Sequence, residues 1–415
     1  MAAEDTNAED LFPTDVIPEP VPEAEPQLVP APWHKPRKQW IRKEQWGRLV
    51  EGLMDELDLH DMPFRYLTLP GRHLFDVRHL HDICAKRGRR LQYLGFDISR
   101  KNDPQLSVSE HEVRSLPFIH GDSVLLADRL ESLAASKPGS MAMSYARKLK
   151  SFDVINLDLC DSVASRRSHP DSSSLAAIAH LVQLQADGRT DPWLMFLTTR
   201  ASRETVNSGV MKKLLDVVQK NLAEHDQFRR SVANTSLFDA QAVAEECDGR
   251  ESLVAPAFVR AFGVGFCKWL LQLSRSTWAV KHEIAACYRV YSDANSPDML
   301  SLAFRFERYP TAVIDPNGVV SAPRGRTQVS IPTELDLEIG FVECFNGLVD
   351  VDQLLHDDSN LREQMIQENA DLMSLARFSR QRIVDWGREV CWRPPTSISF
   401  DAGPIAGSSP VVGGS

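Results

Sequence analysis

The sequence predicts an α/β fold: a mostly parallel sheet with helices on both faces, a C-terminal antiparallel hairpin and a helical extension. Between residues 64 and 198, short apolar runs alternate with helix-length segments, the pattern of parallel strands joined by crossover helices. Trp278–Tyr291 and Met299–Arg308 are two long β-type runs joined by the turn-rich SDANSPD, which reads as a hairpin. Phe152–Ser162, FDVINLDLCDS, is a short apolar run that ends in carboxylates. Such a run predicts a buried strand that delivers acids to its C-terminal edge, where open α/β sheets bind ligands.

Each element follows in order. Arg65–Leu69 is the first expected strand, with Pro70-Gly71 as its turn and a helix over Phe75–Arg87. Arg90–Phe96 is the second strand and ends at Asp97. A helix around Val108–Leu116 leads to a short third strand, Pro117–His120, and then to a helix over Val124–Ala135. A short helix around Met141–Lys150 precedes the fourth strand, Asp153–Leu159. The helix Ser174–Ala186 and the strand Trp193–Thr198 complete the alternation. Helical patterns then cover Glu204–Glu224, Ala240–Glu246 and Pro256–Leu273, where Gly263 and Gly265 fit close helix packing. After the hairpin, Ile314–Gly318 reads as a turn and PRGR (323–326) as a loop. Val329–Ile331 and Asp336–Phe345 read as further strands, and Leu361–Val390 as one long packing helix.

Composition bounds the function. The 415 residues carry 43% hydrophobic and 25% charged residues, as ordinary globular chains do, and a net charge of −10 excludes a generally basic nucleic-acid coat. Seven scattered cysteines form no C-x-x-C pair and no zinc spacing, so a reducing cytoplasm is expected. The acidic, proline-rich start is not expected to act as a secretory signal, and no apolar run reaches membrane-spanning length. Residues 1–32 hold eight acids, seven prolines and no Lys or Arg, a disordered composition. Further expected units are a basic, Trp-bearing helical segment (33–62), the α/β domain (63–312), a β/helical extension (313–392) and a disordered Gly/Ser/Pro-rich tail (393–415).

Trp33–Arg48, WHKPRKQWIRKEQWGR, reverses the charge with six Lys/Arg against one Glu. Cations interleaved with aromatics suit phosphate contact and base stacking, which makes Trp33, Lys35, Arg37, Lys38, Trp40, Arg42 and Lys43 candidate nucleic-acid contacts. The alternative is that the tryptophans anchor a helix over Gln39–Leu57 while the cations stay solvated.

The strand ends carry the remaining chemistry. Thr68 and Gly71 close the first strand, Asp97 the second, Gly121-Asp122 the third, and Asn156, Asp158 and Asp161 the fourth. Over Arg65–Arg308 this order of features resembles the class I S-adenosylmethionine-dependent methyltransferases, which implies a Rossmann-like methyltransferase fold. INLDLCDS looks similar to the fourth-strand motifs of tRNA guanine dimethyltransferases and of bacterial three-Cys-motif partner proteins. The resemblance implies S-adenosyl-L-methionine as cofactor, with Thr68 and Gly71 at its methionine end, Asp97 at the ribose and Gly121 and Asp122 at the adenine. It gives Asp158, Asn156 and Asp161 the catalytic positions.

Asn156 and Asp158 lie two apart, so a strand puts them on one face. Departures are visible as well: the first turn has one glycine followed by Arg72 and His73, and Leu159 and Cys160 replace the motif's proline and aromatic. Two functions are therefore expected: a methyltransferase acting on nucleic acid, or an inactive methyltransferase-like binding module with a protein partner, as in a bacterial defence or modification system. A nicotinamide enzyme ranks last, because no G-x-G-x-x-G follows the first strand.

Overall fold

The computed structural model describes residues 29–57, 62–134, 140–165, 173–274, 277–290, 296–309 and 332–389. The expected disordered tail, the turn at 314–318, the strand at 329–331 and the loop at 323–326 lie outside the described residues, as does the terminal segment up to residue 28.

An eight-stranded mixed sheet organises the chain. Its strands are β1 (Phe64–Thr68), β2 (Leu91–Phe96), β3 (Val124–Leu126), β4 (Val154–Asp158), β5 (Trp193–Arg200), β6 (Trp278–Tyr288), β7 (Met299–Arg308) and β8 (Val349–Asp350). Their spatial order is β3-β2-β1-β4-β5-β7-β6-β8. The first five run parallel, and β7 enters antiparallel between β5 and β6. This is the Rossmann-like arrangement that the resemblance implies, with the expected hairpin as its antiparallel pair. The two-residue β8 adds a strand beside β6.

Period-two alternation divides each strand between two cores. Ile155 and Leu157 of β4 face one side, where they join helices α5 (Met141–Leu149), α6 (Ser174–Gly188), α7 (Ser208–Glu224), α8 (Asp226–Thr235), α9 (Ala240–Cys247), α10 (Ala255–Ser274) and α11 (Glu334–Asn346). A Cβ at Gly263 would overlap Phe345 of α11, and one at Gly265 would overlap Leu214 of α7, so both glycines permit close helix packing. Val154 faces the other side together with Tyr66 and Phe196. That side is covered by the N-terminal helices, by α3 (Phe75–Lys86) and by the later helices Val351–Asp357 and Ser359–Ser374.

The N-terminal cover is a continuous helical run with a change of pitch. Helix Pro36–Trp40 passes into a π-helical stretch, Ile41–Gly47, and then into helix Arg48–Glu56. The wider turn is fixed by a bond from the Arg48 amide to the Lys43 carbonyl. Such segments re-aim side chains and recur at functional sites. Trp46 is fully buried, stacks on Phe196 and anchors the run to the sheet.

Several expectations are corrected. The third strand is Val124–Leu126 and not Pro117–His120, of which Ile119 alone makes a bridge, to Leu91. The predicted helix Val124–Ala135 is thereby displaced; after the strand comes a short 3-10 turn, Leu130–Leu133. Asp336–Phe345 is helical, because Thr333 and Asp336 form a reciprocal capping box that starts α11. The segment Leu361–Val390 holds two helices, Ser359–Ser374 and Arg380–Glu389, separated by Arg377 at a φ of 67°. Among the described residues, no helix is long and apolar enough to cross a membrane.

Candidate functional site

β4 sets Asn156 and Asp158 on the same face, but at different depths. Asn156 is fully buried, and its amide donates to the Tyr66 hydroxyl at 2.8 Å. Tyr66 donates in turn to Asp76 Oδ2 at 2.9 Å, and Thr68 donates to the same oxygen. Thr68 and Asn156 are thus tied up beneath the sheet edge by an acid from the first turn of α3. Burial raises the pKa of both Asp76 and Tyr66. Asp158, one pleat further along, reaches the rim.

The cations of the N-terminal run meet Asp158 there. Lys38 Nζ lies 2.7 Å from Asp158 Oδ1, 3.4 Å from the Tyr288 hydroxyl and 4.7 Å from the centre of the Trp46 ring. Burial lowers the pKa of Lys38, and Asp158 counteracts part of that shift. Arg37 pairs with Asp352 at 2.9 Å, and Lys35 donates to the Val290 carbonyl at 2.9 Å. Arg42 is buried with its guanidinium 5.7 Å from the centre of the Phe75 ring. Lys43 pairs with Glu368 at 2.6 Å.

The tryptophans anchor the segment, as the second expectation has it, but most of its cations are not solvated. Lys35, Arg37, Lys38, Trp40 and Arg42 are buried and Lys43 is half-buried, so these cations do not form an exposed basic face; Trp33 alone of the seven is exposed. Their partners come from residues far along the chain, which no local pattern reveals.

A cavity of about 530 Å³ opens above the C-terminal ends of β1 and β4. Its volume lies within the range of roughly 300–1,000 Å³ usual for small-molecule sites. Leu69, Pro70 and Gly71 form one wall, Asp158, Leu159 and Cys160 another, and Lys38, Arg42 and Tyr288 a third. Gly71 has a φ of +63°, and nothing lies within 4 Å of the place its Cβ would take, so bare backbone faces open space. Arg72 and His73, which the sequence expects to crowd this turn, line the cavity without filling it. Arg72 turns to Asp103 at 2.7 Å. His73 packs among His34, Phe75 and Phe378.

Burial, reinforced by nearby arginines, lowers the pKa of His34 to about 3 and that of His73 to about 4, so both imidazoles are neutral near pH 7. The His34 Nδ1 accepts the Ala31 amide at 3.1 Å, as a neutral ring can.

The other predicted residues divide. Asp97 stands at the end of β2, half-buried, where one carboxylate oxygen accepts the Ser99 amide at 2.8 Å and its hydroxyl at 2.6 Å. Ser99 itself lines the cavity. Gly121 and Asp122 are a correction: they are exposed and precede β3, so they do not reach the sheet edge that binds ligands. The small-residue-then-acid pair that does follow β3 is Ala127-Asp128, hidden from sequence reasoning by the misplaced strand. Asp161 is a second correction: it is exposed and accepts from the Ser162 amide at 2.7 Å and the Ser165 hydroxyl at 3.1 Å, bracing its own turn outside the cavity wall. Sequence reasoning missed Asp76 and Tyr288, which carry no local motif.

A family model described as PP_RS20740-like matches residues 29–388. The chain belongs to that family. No curated protein matches it in sequence. Among solved structures it is similar to an O-methyltransferase family protein from Burkholderia thailandensis at 10% identity, over 66% of this chain and 59% of that one, with a TM-score of 0.28. The chain therefore spans 59% of the length of that protein. It is also similar to the N-methyltransferase NodS from Bradyrhizobium japonicum WM9 in complex with S-adenosyl-L-homocysteine, at 10% identity over 65% and 91% of the two chains, with a TM-score of 0.26. The 23S rRNA methyltransferase ErmE aligns at 12% identity over 81% of this chain and 96% of its own, with a TM-score of 0.27. The fold assignment rests on the strand order and register described above.

Proposed function

We propose that the protein is an S-adenosylmethionine-dependent methyltransferase whose reaction takes place in the cavity above β1 and β4. The observation that carries this reading is the position of the cavity. In a sheet of this order, it lies at the C-terminal edge between the open Gly71 turn and Asp158, with Ser99, whose amide and hydroxyl Asp97 accepts, in its lining.

The residues present suit the cofactor in kind. Gly71 offers backbone that an amino-acid end can approach closely, and Asp97 has a second carboxylate oxygen with no partner among the described residues, available to a ribose diol. Bound S-adenosylmethionine would supply an electrophilic methyl group. The chain's own task is then alignment, which can account for much of the barrier reduction in such a transfer. Asp158 accepts a hydrogen bond from the N–H or O–H of the acceptor and aims its lone pair. Lys38, 2.7 Å away, pairs with Asp158 and fixes its direction. The proton released by the acceptor passes to the free Asp158 oxygen and leaves through the open side of the cavity.

Calorimetry of the full chain with S-adenosylmethionine tests the reading. Saturable binding that Asp97→Ala weakens at least about tenfold, about 1.4 kcal/mol, supports it. An absence of binding at about millimolar cofactor, equivalent to less than roughly 4 kcal/mol of affinity, overturns it.

A second reading is favoured by one feature. Lys38 already occupies Asp158, and Leu159 and Cys160 stand where the motif has a proline and an aromatic. A binding module that holds a ligand without transferring a methyl group would keep the cavity and lose the chemistry. Cofactor binding with no methyl acceptor, together with an Asp158→Ala variant that retains biological function, would select it.

A further inference from the structure

The charge around the cavity is unbalanced. Seven Lys and Arg side chains line it, against three carboxylates. Those carboxylates are already engaged: Asp158 by Lys38, Asp103 by Arg72, and Asp76 by the hydroxyls of Tyr66 and Thr68. Four other cations also have partners: Arg37 and Arg289 share Asp352, Arg200 pairs with Asp298 at 3.3 Å, and Lys35 donates to the Val290 carbonyl at 2.9 Å.

Arg42 is left over. It is 6% exposed, lines the cavity and forms no ion pair among the described residues. Its Nε has no hydrogen-bond partner. Asp158 and Asp76 act on it only from beyond ion-pair distance. A guanidinium buried without a counter-charge is strongly disfavoured unless something supplies one. Arg42 also sits in the π-helical stretch, whose wide turn sets the direction of its side chain. The two histidines that feel Arg42, His34 and His79, are held neutral by burial and add no charge of their own. The planar fork of arginine matches a carboxylate or a phosphate through two parallel hydrogen bonds.

We infer that the cavity takes a small acceptor molecule bearing an oxyanion, a carboxylate or a phosphate monoester, held by Arg42 across from Asp158. This assigns a substrate class to the reading above and rests on it for the word acceptor. The anion site itself stands on Arg42 alone. It also accounts for the burial of the N-terminal cations: the helical run that covers the sheet brings the positive charge to the ligand.

The test follows thermal unfolding of the full chain in sodium phosphate, sodium malonate or S-adenosylhomocysteine, each matched in ionic strength with sodium chloride. Arg42→Gln is the variant, and Lys43→Gln, whose lysine pairs with Glu368 away from the cavity wall, is the control. The expected result is a rise of a few degrees with phosphate or malonate, in the wild type and the control but not in Arg42→Gln. Which of the two anions acts distinguishes a phosphate acceptor from a carboxylate acceptor. Arg42→Gln is further expected to unfold at a higher temperature than the wild type without ligand, because it removes an uncompensated buried charge. An arginine with a purely structural role would give the opposite sign.

A wild type that gains nothing over matched chloride overturns the inference, as does equal protection of wild type and Arg42→Gln. Protection by S-adenosylhomocysteine only, lost in Arg42→Gln, also overturns it, because Arg42 would then hold the carboxylate of the methyl donor. Protection by the anions without any by S-adenosylhomocysteine supports the anion site and removes the methyltransferase reading.

Discussion

Replacing Asp158 by Asn should destabilise the protein by much more than replacing Lys38 by Met. In the first variant the lysine stays, 5% exposed, and loses the carboxylate 2.7 Å from its ammonium. Breaking a buried pair from one side typically costs about 3–5 kcal/mol. Lys38 keeps the Tyr288 hydroxyl and the Trp46 face as weaker partners, which brings the expected loss to about 2–3 kcal/mol. In the second variant the carboxylate that remains is 28% exposed and can be hydrated from the cavity. Methionine matches the stem of the lysine against Trp46, so Lys38→Met should cost less than about 1 kcal/mol. The double variant should resemble Lys38→Met, giving a coupling of about 2 kcal/mol. Urea unfolding followed by tryptophan fluorescence measures all four proteins. An Asp158→Asn variant within about 0.5 kcal/mol of wild type, or a Lys38→Met variant that costs more than Asp158→Asn, would refute the reasoning.

Other outcomes follow from the same geometry. Tyr66→Phe removes both the acceptor of the Asn156 amide and a donor to Asp76, and should cost about 1–3 kcal/mol in urea unfolding. Gly71→Val forces a β-branched residue into a φ of +63°, at about 1–2 kcal/mol, and covers the open backbone, so cofactor binding should fall together with stability. Stability should decline as the pH falls from about 6.5 toward 4, with a slope of up to about 1.4 kcal/mol per pH unit from each of the buried rings of His34 and His73. The sign follows from folded pKa values of about 3 and 4 lying below the unfolded 6.5: within that window the unfolded chain binds more protons, so the stability present above it is lost as acid is added. His34→Gln should flatten the curve of unfolding free energy against pH, and an unchanged slope would contradict the burial of a neutral ring.

The fold was legible wherever apolar periodicity was long enough to decide between helix and strand. β4 and β5 each bury continuous apolar runs, and the long hairpin runs admit no other reading. β3 was missed because it is only three residues long, and the Phe118–Ile119 pair before it looked equally strand-like. Asp336–Phe345 begins with polar and apolar residues in alternation, Asp336 to Ile339, yet Leu337, Phe341 and Phe345 share a helical face, and the start signal was the Thr333/Asp336 cap. No Gly or Pro marks the break between the last two helices, which Arg377 makes with a positive φ.

The candidate site was legible as far as strand ends go. Asp97, Asp158 and Gly71 stand at the strand ends where the sequence expects them, because strands predict their own edges. What the sequence concealed is tertiary. Lys35, Arg37 and Lys38 find their partners in Val290, Asp352 and Asp158, each more than a hundred residues away. Composition alone made that segment look like a surface, although burial and charge pairing place it against the sheet.

A crystal structure of the full chain grown with S-adenosylhomocysteine tests the central claim most directly. The account predicts the ligand over Gly71, with its ribose hydroxyls on Asp97 and its sulfur directed toward Asp158. Crystals grown at about millimolar S-adenosylhomocysteine in which that cavity holds no such ligand, or in which the ligand sits elsewhere on the sheet, would contradict it.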